Sequence, residues 1–102
     1  MSTELTFTTA RDPAGVLVLG ASGEIDMSNA SAFSAALADA RRQENAFVLD
    51  LTRVEYLDSA GLAALFPHVD HVRLVAGPLL SPLLSPLLTI AGLSDVTTIR
   101  HE

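Results

Sequence analysis

With 102 residues, 49% of them apolar and 18% charged, the chain has enough hydrophobic material for one packed core, and a single domain spanning 1–102 is expected rather than a disordered segment. Twelve acidic residues against six arginines give a net charge of −6, which disfavours nucleic acid phosphates and anionic lipid and suits a basic partner. The absence of lysine and cysteine excludes P-loop lysine and Schiff-base chemistry, disulfides, thiol catalysis and thiolate metal sites.

The start of the chain has no basic segment leading into an apolar run, so no secretory signal is read and the cytoplasm is the expected location. Leu5, Phe7 and Thr9 alternate with Thr6 and Thr8, a period of two that predicts an edge strand. Asp12, Pro13 and Gly15 make a turn, and residues 16–19 form a second strand that pairs back as a hairpin and is ended by Gly23 and Asp26. From Ser28 a helix follows, with Asp26 or Ser28 as N-cap, with Phe33, Ala36, Leu37 and Ala40 on one face, and with Arg41 and Arg42 in the last turn. Residues 46–51 are the most strand-like run and should be central. A helix between two strands on short loops implies a right-handed crossover with the strands parallel.

A loop from Leu57 then turns into a second helix, with Ser59 as N-cap, Leu62, Leu65 and Phe66 as its buried stripe, and Pro67 as its stop. Residues 72–75 read as a strand, 82–91 as a third helix capped by Ser81, and 96–99 as a last strand. The order β-β-α-β-α-β-α-β describes a small α/β domain with a mixed, mainly four- to five-stranded sheet and about three helices packed against it. The twenty uncharged residues 74–93 match the length of a membrane helix, but Pro78, Pro82 and Pro86 break the run and a membrane span is not expected. Residues 78–89 repeat as PLLS-PLLS-PLLT, whose leucines either fill the core or form a patch for a partner; a monomer or weak dimer is expected.

Tyr56-Leu57-Asp58-Ser59-Ala60-Gly61-Leu62 is the segment with most chemical promise, because it follows a central strand and opens a helix. A serine there lies at the positive end of the helix dipole, receptive to a phosphate, or else serves simply as a cap. A hydrolase nucleophile fits poorly: G-x-S-x-G is only half matched, Asp58 would oppose the oxyanion, and the candidate bases are His68, His71 and His101. His68, Asp70 and His71 have the residue types of a metal site, but further ligands are lacking, and solvated loop histidines are expected. Glu24, Asp26 and Asp58 fall in loops at strand ends, where they act as caps and surface charges or as an acid pair.

Taken together, Gly23-Glu24-Ile25-Asp26, Leu49-Asp50-Leu51 followed by Val54 and Leu57-Asp58-Ser59-Ala60-Gly61-Leu62, and Ala91-Gly92-Leu93 resemble the STAS domain of bacterial anti-sigma factor antagonists. The resemblance implies a binding switch in transcription regulation, neither an enzyme nor dependent on a cofactor. The unphosphorylated antagonist binds an anti-sigma factor, itself a serine kinase of the histidine-kinase-like ATPase fold, and frees a sigma factor. Phosphorylation of the serine at Ser59 ends the interaction, and a phosphatase restores it. On this resemblance Glu24, Asp26, Asp58, Ser59, Ala60, Gly61 and Leu62 make up the partner-binding site, and no nucleic acid or metal is engaged. The alternative is a STAS binding module of a stress-signalling or lipid-transport complex, without phospho-switching. The early stop at Pro67 and the Pro-Leu tetrads depart from the family's usual second and third helices.

Overall fold

A hairpin opens the chain, and its turn is set by one side chain. In the computed structural model, which describes residues 4–77 and the backbone of 96–99, Asp12 Oδ1 accepts from the amides of Ala14 and Val16 at 2.9 Å each. Gly15 reverses the chain at φ 85°, a conformation that favours glycine. Strand β1 (Thr6–Arg11) pairs antiparallel with β2 (Leu17–Ile25), as the alternation of the first residues predicts.

The second strand does not end near Leu19. It runs nine residues through Gly20 and Gly23, because β1 and β3 both pair with it as far as Ser22 and β3 continues the ladder to Ile25, which outweighs the weak strand preference of glycine. A Cβ at Gly20 would lie 2.6 Å from Thr8 Oγ1, so the glycine also permits the close approach of β1.

Helix α1 (Ala30–Gln43) buries Phe33, Leu37 and Ala40 and ends with Arg41 and Arg42 in its last turn. Its first turn departs from the expected capping. The helix begins after Asn29, and neither Asp26 nor Ser28 caps it. Asp26 Oδ1 instead accepts from the Ser28 amide at 2.9 Å and the Ser28 hydroxyl at 2.5 Å, closing the turn that leads into the helix.

The crossover through α1 delivers β3 (Phe47–Leu57) parallel to β2, and β4 (Val72–Ala76) and β5 (Val96–Ile99) come next, each parallel to its predecessor. The sheet order is β1-β2-β3-β4-β5, mixed only at its first strand. Strand β3 is nearly twice as long as expected, at eleven residues. Its pairing with β2 shifts twice, between Gly20/Ser22 and between Gly23/Glu24, so that β3 spends one extra residue at each place. The buried positions therefore change spacing from Phe47, Leu49 and Leu51 to Val54 and Leu57. Asp50 Oδ1 accepts from both the amide and the hydroxyl of Thr52, at 2.9 and 2.6 Å, and fixes the first bulge.

The core is a single apolar cluster in which Leu17, Leu19, Ala21 and Ile25 of β2 join Leu49, Leu51 and Val54 of β3 and Phe33 and Leu37 of α1. Phe7 reaches it from the edge strand and stacks on Phe33, with ring centroids 6.5 Å apart and planes within 1° of parallel.

Helix α2 (Ser59–Leu65) is followed directly by a 3-10 helix, Phe66–His71, with Pro67 in its first turn. The tighter winding turns Phe66 off the buried stripe, leaving it 42% exposed, while Leu65 is buried and Leu62 packs half-buried. The third helix expected at 82–91 and the repeat at 78–89 lie outside the described residues. Among the described residues, no helix is long and apolar enough to cross a membrane.

Candidate functional site

The parallel register sets Glu24 opposite Tyr56 and Ile25 opposite Leu57, so the two strands end side by side. The segments leaving the two strands are therefore brought to one edge of the sheet, where open α/β sheets offer their binding crevices. The Asp58 amide donates to the carbonyl of Ile25, the last residue of β2, at 3.1 Å and continues the ladder one residue past the end of β3.

Asp58 then turns the chain into α2. Its Oδ1 accepts from the amides of Ala60 at 2.9 Å and Gly61 at 3.1 Å, which makes Asp58 the N-cap and Ser59 the first helical residue. Ser59 is thus not the cap that its position suggests. A carboxylate outcompetes a hydroxyl here because it is charged, faces the positive helix end and offers several lone pairs. The second oxygen, Oδ2, accepts from the Met27 amide at 3.1 Å, so one side chain joins the loop after β2 to the start of α2.

On the other side of this link, Asn29 Oδ1 accepts from the Asp26 amide and Asn29 Nδ2 donates to the Glu24 carbonyl, both at 2.9 Å. The Asp26 carboxyl is held below the usual carboxylate range, first by the Ser28 hydroxyl and then by the Ser28 amide, with partial desolvation acting weakly the other way. Glu24, Asp26 and Asp58 are half-buried.

Gly61 is buried where α2 crosses the sheet end. A Cβ there would fall on Leu57 Cδ1 and come within 2.9 Å of Ile25 Cγ2, so this position requires the smallest residue. Ala60 and Leu62 are half-buried. Ser59 is exposed, and its hydroxyl makes no hydrogen bond among the described residues.

All seven expected site residues come from the two adjacent strand ends and the first turn of α2. The geometry adds Met27, 83% exposed, whose amide is bound to Asp58, and Asn29, which braces the loop. Nothing in the local sequence marks Met27, because its role comes from a partner thirty-one residues away.

Two amides of the first α2 turn, those of Ala60 and Gly61, are taken up by Asp58, which leaves fewer donors for a phosphate than the motif suggests. The histidines differ from expectation too. His68 is buried at 8% exposure, and both it and His71 are hydrogen-bonded to Arg41 instead of standing in solvent. Among the described residues no group of three or more His, Cys, Asp or Glu is placed to hold a metal ion.

Residues 8–100 match the family model for the STAS domain. Among solved structures, an anti-sigma factor antagonist from Mycobacterium paratuberculosis is similar with a TM-score of 0.71 at 28% identity, over 96% of this chain and 87% of that one. The anti-sigma factor antagonist SpoIIAA in its unphosphorylated form gives 0.62 at 15% identity, over 95% and 89%. The STAS domain of an antisigma-factor antagonist from Rhodobacter sphaeroides gives 0.52 at 18% identity, over 71% and 84%. The last two likenesses concern the fold alone. A search of curated proteins returns no match.

Proposed function

The chain belongs to the STAS domain family, and we propose that it is a cytoplasmic anti-sigma factor antagonist, a binding protein whose unphosphorylated form holds an anti-sigma factor kinase and frees a sigma factor. The contact surface is the edge made by Glu24, Asp26 and Met27 with Asp58, Ser59, Ala60, Gly61 and Leu62. A kinase partner phosphorylates Ser59 and ends the interaction, and a phosphatase resets it. The solved structure at 28% identity, from an anti-sigma factor antagonist, supports the general role.

The observation that carries the switch is the exposed, unbonded hydroxyl of Ser59 beside a carboxylate fixed by three amides. Phosphorylation adds about −1.5 to −2 charge units. Because Asp58 already fills two of the helix-end amides, the phosphate gains little compensation from the dipole and stays directed at solvent and partner. A like-charge pair at about 5 Å in an effective dielectric near 20 costs on the order of 3 kcal/mol before screening. Half of that weakens an interface roughly tenfold, with no refolding needed.

The test is incubation with ATP and a candidate anti-sigma kinase, followed by mass spectrometry of the Ser59 peptide and by binding measurements. Ser59→Ala should stay bound in the presence of ATP, and Ser59→Glu should bind at least tenfold more weakly. Equal binding by both variants supports instead a STAS module that assembles without phospho-switching.

A further inference from the structure

Away from the Ser59 edge, three side chains form a cluster that the proposed function leaves unused. Arg41 in the last turn of α1 points its guanidinium into the 3-10 helix, where Nη1 donates to the Pro67 carbonyl at 3.3 Å and lies 3.3 Å from His68 Nδ1. Its Nη2 lies 3.0 Å from His71 Nε2. An arginine has only N–H donors, so both ring nitrogens must be acceptors. This fixes the chemistry: His68 carries its proton on Nε2, and His71 carries its own on Nδ1, which donates to the Asn45 carbonyl at 2.8 Å. Both rings have to be neutral, because an imidazolium would turn an N–H toward the guanidinium in place of a lone pair.

We infer that Arg41, His68 and His71 form a proton-operated clip, which holds the 3-10 helix against α1 while the His68 imidazole is neutral and releases it when that ring takes up a proton.

The arginines around the cluster disfavour a further positive charge there, and the carboxylate of Asp70 acts the other way. From α1, Arg41 and Arg42 line the surface groove that includes His68 and Ala38; from the 3-10 helix come His71 and the exposed Asp70; from β4 comes Arg73, which lines a cavity with Asp70 and His71; from the loop before β3 comes the Asn45 carbonyl. Among the described residues no carboxylate pairs with Arg41, His68 or His71, and Asp39 is occupied by Arg42 and Gln43. Burial disfavours a charged His68 most, and Arg41 and then His71 add to it, so the ring stays neutral below the ordinary histidine value. The clip acts on the fold because the 3-10 helix continues α2 without a break and leads straight into β4. It operates whether or not Ser59 is a phosphorylation site.

The test is a proton and nitrogen NMR titration of the full chain between pH 8 and 5.5, reading ring tautomers together with backbone amides. At neutral pH, His68 should be the Nε2–H form and His71 the Nδ1–H form, and His68 should protonate below about 6.5. The amides of the 3-10 helix and the last turn of α1 should move with the same midpoint. In Arg41→Gln, the His68 midpoint should rise toward about 6.5, because the adjacent cation is gone. An opposite tautomer, a His68 midpoint at the ordinary value in the native chain, proton uptake that leaves the 3-10 amides unmoved, or a His68 midpoint unchanged in Arg41→Gln overturns the clip. If Arg41→Gln does not fold, the native titration decides alone.

Discussion

The Met27 amide donates to Asp58 Oδ2 at 3.1 Å, while the other oxygen of the same carboxylate caps α2, so two loops that are thirty-one residues apart share one side chain. Replacement of that side chain is therefore expected to disturb more than a helix end.

Asp58→Ala should lower stability by about 1 to 2 kcal/mol, the upper part of the range for a lost N-cap, since the Met27 amide loses its acceptor as well. For a domain of this size that corresponds to a fall in Tm of roughly 4–16 °C. Asp58→Asn retains an acceptor and should lose less than half as much. Calorimetry on the two variants checks the order.

Gly61→Ala should cost about 1–3 kcal/mol, because the new methyl meets Leu57 and Ile25, both buried, and these can yield only by moving the core or lifting α2. Urea unfolding measures the loss. Shifted amide resonances at Ser59 and Asp58 would report the displacement of the helix.

Phe33→Ala should be the most damaging of the substitutions considered, at about 3–5 kcal/mol, since Phe33 is fully buried and stacks on Phe7. Phe7→Ala removes the same stacking from a half-buried position and should cost clearly less. A larger loss for Phe7 would place the centre of the core nearer the edge strand than the packing indicates.

Ser28→Ala should raise the Asp26 carboxyl toward its ordinary value, since the Ser28 hydroxyl is the main cause of its depression. A carboxyl depressed in the folded state contributes stability that is present above its unfolded value and is lost as pH falls through the folded one. An NMR titration of Asp26 in both chains tests this.

Stability should also fall as pH drops through about 6.5, because the His68 ring takes up its proton more readily unfolded than folded. The slope contributed by one such proton reaches at most about 1.4 kcal/mol per pH unit. His68→Gln should flatten the difference in urea midpoint between pH 7.5 and 5.5. An unchanged difference would assign that pH dependence to other groups.

Much of this architecture is readable from local pattern. The alternation of Leu5 to Thr9, the turn at Asp12 to Gly15, the apolar face from Phe33 to Ala40 and the run from Phe47 to Leu51 all appear where hydrophobic period and turn chemistry put them. The strand ends are not readable in this way. Gly23 looks like a terminator, and only continued pairing with β3 carries β2 past it to Ile25. The capping of α2 is hidden by adjacency: Asp58 and Ser59 are both good N-caps, and the second bond of the Asp58 carboxylate goes to Met27, which the sequence places far away. Arg41 can be read as a dipole partner, but its actual acceptors lie twenty-six to thirty residues further on.

The two extra residues that β3 inserts against β2 are each taken up in a bulge, so Val54 and Leu57 still face the core beyond them. A deletion confined to either bulge would return the inward positions to a spacing of two without turning them over, whereas an insertion or deletion in the regular run Phe47–Leu49 has no bulge beside it and would slip the register there. Loops gain or lose residues at modest cost, and these two bulges give a paired strand the same slack just ahead of the serine.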